Sequence, residues 1–307
     1  MKTKIQNATH GALNLGFVPP HGVRLPRGGS RTFDGGLRTV LASGLKRYSR
    51  QRELRVMTEV EETGTVVLTV WRGSEDPILI RDGYFVIDGG RLGGPAYEWD
   101  DIEAAGLHVP GFDDDEDYDD DTSDLIAMPF PFDFFGWSCS GFRVCSNGFI
   151  EFDNDDDDCC SQYQLPDVYC PLNMAAAFFA DLYLRANVSK VRYKVLGTAP
   201  NRRLVVTFFN VIGYFKTADD FTFQITVYEG PSGAVRCQYK RMALGPVESR
   251  IDTGLVIGLN SQTGLEGITY QFISEDDVQK LADLGLDEVV VGFRKVDQVS
   301  PWPRKEG

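Results

Sequence analysis

The sequence predicts a mainly β protein: a small β-rich amino-terminal domain, then an antiparallel β-sandwich with one short helix near the C-terminus. Three observations support this prediction. The 307 residues include 32 glycines and 15 prolines, which favours frequent turns and short strands. The hydrophobic content of 42% is sufficient for a packed core. From residue 125 onward, short apolar runs with period-two alternation recur between turn residues.

Residues 1–96 are predicted to form a β-rich docking or anchoring domain. The Pro-Gly clusters PPHG and PRGG separate short strands, TGTVVLTVWRG and DPILIRDGYFVI are clear β runs, and the apolar spacing over 37–45 indicates a short helix. This part carries 14 Lys/Arg against 9 Asp/Glu, a net charge of +5. That surplus suits docking on an acidic protein surface and is too weak to indicate specific nucleic-acid binding. The docking candidates are Arg24, Arg27, Arg31, Arg47, Arg50 and Arg52.

Residues 97–124 are predicted to be an acidic linker. Residues 98–124 contain thirteen acidic residues and no lysine or arginine, and the chain after residue 96 has a net charge of −19. Such a segment is either solvated or, where it is ordered, neutralised by a cation, a basic neighbour or a partner subunit.

Residues 125–300 are predicted to form the sandwich. In TFQITVYE, Phe223, Ile225 and Val227 fall on one face and polar residues alternate with them. The aromatic stretch 128–152 is predicted to be core. Its two prolines keep the chain extended, and Phe130, Phe132, Phe134 and Phe135 plug one open end of the sandwich.

The helix near the C-terminus is predicted in SEDDVQKLADLG. Ser274 is the expected N-cap, acidic residues suit the first turn, and Gly285 is expected to end the helix.

The cysteines indicate disulfides. Five of the six lie within 32 residues, a clustering typical of proteins that work outside the cytosol. The disulfide candidates are Cys139, Cys145, Cys159, Cys160, Cys170 and Cys237. Cys139 and Cys145 are expected to close a hairpin, and free thiols or a metal site are the alternatives.

Calcium is the one cofactor that the sequence suggests. Asp153, Asp155 and Asp157 alternate as loop ligands do, but the glycine and glutamate of an EF-hand are absent. The alternative is a solvated or partner-facing loop. We expect no enzymatic activity, because G-x-S-x-G, HExxH and P-loop motifs are missing and the three histidines lie in Gly/Pro-rich loops or beside the acidic run. A hydrolase that uses the acidic clusters is the weaker alternative.

Two family resemblances guide the functional expectation. The series PFPFDFFG, VCSNGFIEF, FFADL, YKVLGTAPNRRLVVTFFNV, FTFQITVYEG, VRCQYKRM and DTGLVIGLNSQTG resembles the nidogen-like β-sandwich over roughly 126–272. That resemblance implies an interaction or accessory module without catalytic residues. The cysteines are additions to the pattern, and Ala180-Asp181 matches the usual carboxylate pair only in part. The first sixty or so residues resemble the amino-terminal modules of tailed-phage virion proteins.

These observations lead to a functional hypothesis. The chain is expected to be a virion structural protein of a tailed phage, a capsid decoration or cement protein, assembled in the host cytoplasm and then released. Its expected partners are the major capsid protein or neighbouring virion subunits, and a homo-oligomer is expected. The start MKTKIQNATHGALNLGFVPP lacks the apolar stretch of a secretory signal, and no apolar run reaches the roughly 18 residues of a membrane span. The alternative is a secreted or surface adhesion module that binds protein or glycan.

Overall fold

The computed structural model describes the backbone of seven amino-terminal strands. It also describes residues 84–89, 94–154, 162–230, 233–246, 251 and 253–295. The amino-terminal strands are β1 (Lys2–Asn7), β2 (Leu13–Leu15), β3 (Val23–Leu25), β4 (Ser30–Asp34), β5 (Leu54–Val60), β6 (Val66–Arg72) and β7 (Leu79–Arg81). β1 is central in a four-stranded sheet of order β4-β1-β6-β5, antiparallel to β4 and parallel to β6, and β2 pairs with β3. The predicted helix at 37–45 falls outside the described residues.

The following strands build two further sheets. Their bounds are β8 (Tyr84–Asp88), β9 (Leu107–His108), β10 (Tyr118–Asp119), β11 (Ile126–Phe134), β12 (Trp137–Cys145), β13 (Phe149–Phe152), β14 (Met174–Phe179), β15 (Leu182–Leu184), β16 (Lys190–Leu196), β17 (Arg203–Gly213), β18 (Lys216–Tyr228), β19 (Val235–Ala243), β20 (Leu255–Asn260), β21 (Gly267–Ile273) and β22 (Val290–Lys295).

The larger sheet has the order β10-β15-β17-β18-β19-β22-β8-β7, with β16 and β9 branching from β17. The smaller sheet has the order β11-β12-β13-β14-β20-β21. All strand pairs in both sheets are antiparallel, which confirms the predicted fold class. β7 and β8 precede residue 96 in the chain yet pair within the larger sheet. The division of the chain at residue 96 otherwise stays a prediction.

The inner faces of the two sheets enclose one core. Phe223, Ile225 and Val227 all point into it, as their alternation predicted. Phe178 of the smaller sheet packs against Phe223 across the core, with ring centroids 5.8 Å apart. Because the apolar residues of both sheets face each other, burial of their side chains holds the two sheets together.

The aromatic stretch belongs to this core. Phe130, Phe132 and Phe134 alternate inward along β11 and are buried, and a register irregularity lies between Ala127 and Phe132. β11 is an edge strand, where prolines are tolerated because no second neighbour needs their missing N–H. The prediction of core packing is confirmed, but these rings form one wall of the sandwich and not a plug at its end.

The outer face of the larger sheet is covered by the segment that follows β8. Gln224 and Gln238 project outward from β18 and β19 and are fully buried. The Gln224 amide donates to the Asp100 carbonyl at 2.8 Å, and the Gln238 amide exchanges two 2.8 Å bonds with the Glu98 backbone. Residues 98–103 therefore lie on the sheet as a cover, although the sequence suggested that they were part of a linker.

The outer face of the smaller sheet is covered in a similar way by the loop before β14. Leu165 and Cys170 of this loop form a second buried cluster with Phe149, Phe179 and neighbouring residues. The amide of Asn260 donates to the carbonyls of Asp167 and Pro171 at 2.9 and 3.0 Å, which fastens the loop to β20. Each sheet thus has the core on its inner face and a covering segment of the chain on its outer face.

The predicted helix is present, as a 3-10 helix over Glu275–Asp283 and not an α-helix. Ser274 occupies the N-cap position, as predicted, but its side chain makes no capping hydrogen bond. Gly285 has a φ of +55°, consistent with its predicted place after the helix.

Candidate functional site

A group of exposed rings and carboxylates lies at the β10–β15 edge of the larger sheet. We call this group the acidic aromatic edge, and it consists of Asp117, Asp119, Asp120, Asp181, Tyr183, Tyr214 and Phe215. Tyr118–Asp119 (β10) pairs with β15, which places Asp119 opposite Tyr183. Tyr214 and Phe215 form the turn between β17 and β18, whose ends pair next to β15.

The SNG turn between β12 and β13 holds the acidic chain at this edge. The Asn147 side chain donates to Asp120 Oδ1 at 2.7 Å and accepts from the Leu182 N–H at 2.8 Å. The Ser146 hydroxyl accepts from the Asp121 N–H at 3.0 Å. Gly148 has a φ of +85°, and a Cβ there would lie 2.3 Å from the Phe178 carbonyl oxygen, so the turn requires glycine. The turn therefore holds both Asp120 and the start of β15 in place at the edge.

Three carboxylates meet here. Asp119, Asp120 and Asp181 each have an oxygen within 4.8 Å of the others. Burial, together with the charges of Asp120 and Asp121, raises the pKa of the Asp119 carboxyl. One Asp119 oxygen, Oδ1, is inaccessible to solvent and has no hydrogen-bond partner among the described residues. Oxygen ligands at this spacing suit Ca²⁺, which takes about six to eight of them, so the chain would supply only part of such a shell.

Three aromatic rings lie against the carboxylates. Ring centroids of Tyr214 and Phe215 are 4.2 Å apart, and Tyr183 lies 6.0 and 5.7 Å from them. The Phe215 side chain is 68% exposed. Desolvation and the charges of Asp119 and Asp181 raise the pKa of the Tyr214 hydroxyl, so the carboxylates act on this ring electrostatically. Exposed rings beside carboxylates are suited to contact a cationic group or a polar partner surface.

Some other carboxylates of the acidic segment are neutralised within the chain. Asp100 pairs with Arg203, with an Nε–Oδ2 distance of 3.0 Å, and lies 3.5 Å from Arg236. Asp114 pairs with Arg192 through both terminal nitrogens. Of the alternatives that the sequence left open for this segment, a basic neighbour is therefore the one observed at Asp100 and Asp114.

A comparison with models of known protein families identifies the family of this chain. The family model described as NIDO related matches residues 96–282, more than half of the chain. The chain belongs to the NIDO-related family. No curated protein and no solved structure matches it. The match supports the nidogen-like resemblance, and it includes the covering segment that begins near residue 96.

The structure describes only one of the three calcium candidates of this NIDO-related chain, Asp153. Both Asp153 oxygens accept hydrogen bonds, from the N–H groups of Ser140 and Gly141 at 2.6 Å and from the Ser140 hydroxyl at 2.7 Å. Its carboxylate thus fastens the chain beyond β13 to β12. Asp155 and Asp157 lie outside the described residues, and calcium at this loop stays a prediction.

The disulfide candidates need one correction. Cys139 and Cys145 are buried free thiols at positions of the single strand β12, about 20 Å apart at the usual strand rise. A disulfide requires Cα atoms within roughly 7 Å, so these two residues cannot bridge each other. Cys237 is also a buried free thiol. The Cys170 sulfur accepts a hydrogen bond from the Tyr163 N–H at 3.3 Å. Cys159 and Cys160 lie outside the described part of the chain.

The docking arginines of the NIDO-related chain are only partly placed. Arg24 lies in β3 and Arg31 in β4. The other four candidates, Arg27, Arg47, Arg50 and Arg52, lie in segments that are not described. No helix among the described residues has the length and apolar character needed to cross a membrane.

Sequence reasoning missed the edge as a site. Asp119 and Asp120 were two of thirteen acidic residues in one run, and composition alone could not single them out. Asp181 could have been singled out from the sequence, because the family resemblance matches it to one member of the usual carboxylate pair. The role of Asn147 could not be predicted from the sequence, because its contact with Asp120 spans 27 positions of the chain.

Proposed function

We propose that this NIDO-related chain is a non-enzymatic structural protein of a tailed-phage virion, a capsid decoration or cement protein. It docks through its amino-terminal part and displays the sandwich. One observation carries the proposal: the sandwich covers both of its outer faces with its own chain and leaves an acidic aromatic edge exposed, while the amino-terminal part has the opposite charge.

The covering segments restrict where a partner binds. Residues 98–103 lie on the outer face of the larger sheet over β17, β18 and β19, and the loop 162–172 lies on the outer face of the smaller sheet. The acidic aromatic edge is one place where exposed rings and charges lie together and are available to a partner. Exposed aromatic residues are enriched at protein interfaces, which favours an interaction role for this edge over catalysis.

The charge separation supports docking through the amino-terminal part. Residues 1–96 have a net charge of +5, and the rest of the chain has −19. An acidic surface repels the acidic sandwich and attracts the basic amino-terminal part. This difference in charge would orient the chain on an acidic surface that it decorates.

Particles released from the host would test this proposal. The purified particles are analysed by quantitative mass spectrometry, and the chain is expected at a fixed stoichiometry to the major capsid protein that survives a high-salt wash and a density gradient. Its absence from the particles, or a copy number that changes with each wash, would refute a decoration role. A host cytosolic protein of similar abundance serves as the contamination control.

A surface adhesion module that binds glycan is the second candidate. The observation in its favour is the same set of rings, because sugars stack on aromatic faces and carboxylates accept bonds from their hydroxyls. A glycan array with the full-length chain and its Phe215→Ala variant separates the two candidates. Binding that the variant loses supports adhesion. The matched control is Leu265→Ala, which removes a side chain of similar exposure, 71%, elsewhere.

A further inference from the structure

The acidic aromatic edge has a specific partner in the sequence of the same chain. We propose that it binds the basic amino-terminal part of a second copy, so that copies associate head to tail. The proposal rests on the docking role suggested above, and it names the acidic surface on which that docking takes place.

Acidic residues outnumber basic ones among the described residues of the edge and its strands. Asp117, Asp119, Asp120 and Asp181 lie in the edge and Asp121 directly follows, and Arg185 and Lys216 are the basic residues that the structure describes next to its strands. Burial is the main cause of the raised pKa of Asp119, and repulsion by the charges of Asp120 and Asp121 adds to it. A cationic partner would remove that repulsion, and like-charged partners would add to it.

The rings narrow the choice of cation. Tyr183, Tyr214 and Phe215 present connected faces of which Phe215 is the most exposed. Arginine is the side chain that combines stacking on aromatic rings with bidentate bonding to carboxylates. An arginine-rich segment therefore matches both components of the edge better than a lysine-rich one does.

The chain contains such a segment. Residues 46–55, KRYSRQRELR, carry five basic residues against one glutamate, and three of the docking candidates, Arg47, Arg50 and Arg52, lie there. Few other stretches of this acidic chain could supply that charge, since residues 97–307 have a net charge of −19. Complementarity of charge thus selects the amino-terminal part of another copy as the occupant.

The geometry of such a contact has a consequence for assembly. The two contact surfaces differ, so the interface is heterologous, and repeated contacts build chains of copies or closed rings, of which a reciprocal pair is the smallest. This is the type of association that spreads over a particle surface.

Sedimentation velocity of the full-length chain tests the proposal. At about 50 mM salt the weight-average mass is expected to rise with protein concentration, and at about 500 mM salt it is expected to fall to that of the monomer because exposed charges are screened. Phe215→Ala should weaken the association at least tenfold, the size typical of an interface hot spot. Leu265→Ala should leave it unchanged.

A mixing experiment tests the head-to-tail arrangement. The triple variant Arg47→Glu, Arg50→Glu, Arg52→Glu lacks the basic surface and keeps the edge, and Phe215→Ala lacks the edge contact and keeps the basic surface. Each alone should be monomeric, and the mixture should form a 1:1 complex and nothing larger. A wild-type chain that is monomeric up to about 100 μM at low salt, or a mixture without complex, would overturn the proposal. Absence of the chain from virions would refute only the decoration role and leave this result standing.

Discussion

Replacement of Phe134 by alanine should cost the protein much of its stability. Phe134 lies in the edge strand β11 and is fully buried. Its ring centroid is 4.9 Å from those of Phe135 and Phe152, 6.0 Å from Phe132 and 6.1 Å from Tyr84. The substitution removes a whole ring from this cluster and leaves a cavity that its neighbours can fill only in part.

The expected magnitude follows from these contacts. Phenylalanine-to-alanine changes in cores cost about 3–5 kcal/mol, and the loss of four ring partners favours the upper half of that range. For a domain of this size the melting temperature changes by roughly 2–4 °C per kcal/mol, so a decrease on the order of 10 °C is expected. Urea unfolding of the full-length chain, followed by far-UV circular dichroism, measures the free energy directly.

The matched control is Trp137→Ala. Trp137 faces Phe134 in the β11–β12 register, but its side chain is 51% exposed. Its removal should cost less than about 1 kcal/mol, as expected for a surface change. If both variants lose similar stability, or if Phe134→Ala unfolds at the wild-type midpoint, then β11 is not part of the cooperative core, and the reasoning from ring burial fails.

Four further outcomes are expected. Gly148→Ala should destabilise the chain by more than about 1 kcal/mol in urea, and clearly more than Gly136→Ala, which also has positive φ but has no atom within 4 Å of the added carbon. Because the folded state raises the pKa of Asp119 above 3.8, it binds that proton more tightly than the unfolded state, so this contribution to stability is full below the unfolded pKa and is lost as pH rises through the folded pKa. This contribution opposes the loss of stability that Asp114 and Glu229, whose pKa values are lowered, cause as the pH falls. Asp119→Asn, measured in EDTA, should therefore lose stability more steeply than the wild type as the pH is lowered, and an unchanged slope would contradict the assignment. Burial raises the pKa of the Cys139 thiol to about 12 and also raises that of Cys237, so both should react with a thiol reagent only after unfolding, and rapid labelling of the native chain would show them to be accessible. Calcium added to the EDTA-treated chain should raise its melting temperature if the acidic clusters bind it. An unchanged melting temperature would show that these clusters do not bind calcium.

The alternation of apolar and polar residues in TFQITVYE predicted β18 and the different chemistry of its two faces. β14 was missed, since all six residues of Met174–Phe179 are buried and no alternation marks them. The outer face of β18 was expected to be polar and is polar, but its burial could not be predicted, because the segment that covers Gln224 lies 124 positions earlier in the chain.

The candidate site was harder to predict than the fold for a related reason. Its carboxylates come from β10, from the residue after it and from the turn before β15, and its rings come from β15 and the β17–β18 turn. Each belongs to a local pattern with an ordinary structural explanation. Only the pairing of β10 with β15, and the Asn147 side chain between Asp120 and Leu182, bring them together.

Two aspartates of the acidic run show that its members have separate tasks. The hydrogen bond from Arg192 lowers the pKa of the Asp114 carboxyl, whereas burial and neighbouring charges raise that of Asp119, five positions later. A carboxylate with a lowered pKa is already stabilised by the fold, and a further partner gains little from it. The Asp119 carboxylate is destabilised mainly by burial and also by the charges of Asp120 and Asp121, and we expect a cationic partner to offset part of that cost. The run therefore contains one aspartate, Asp114, whose charge Arg192 stabilises within the chain, and another, Asp119, whose charge the fold disfavours, and Asp119 is the one that lies beside the exposed rings.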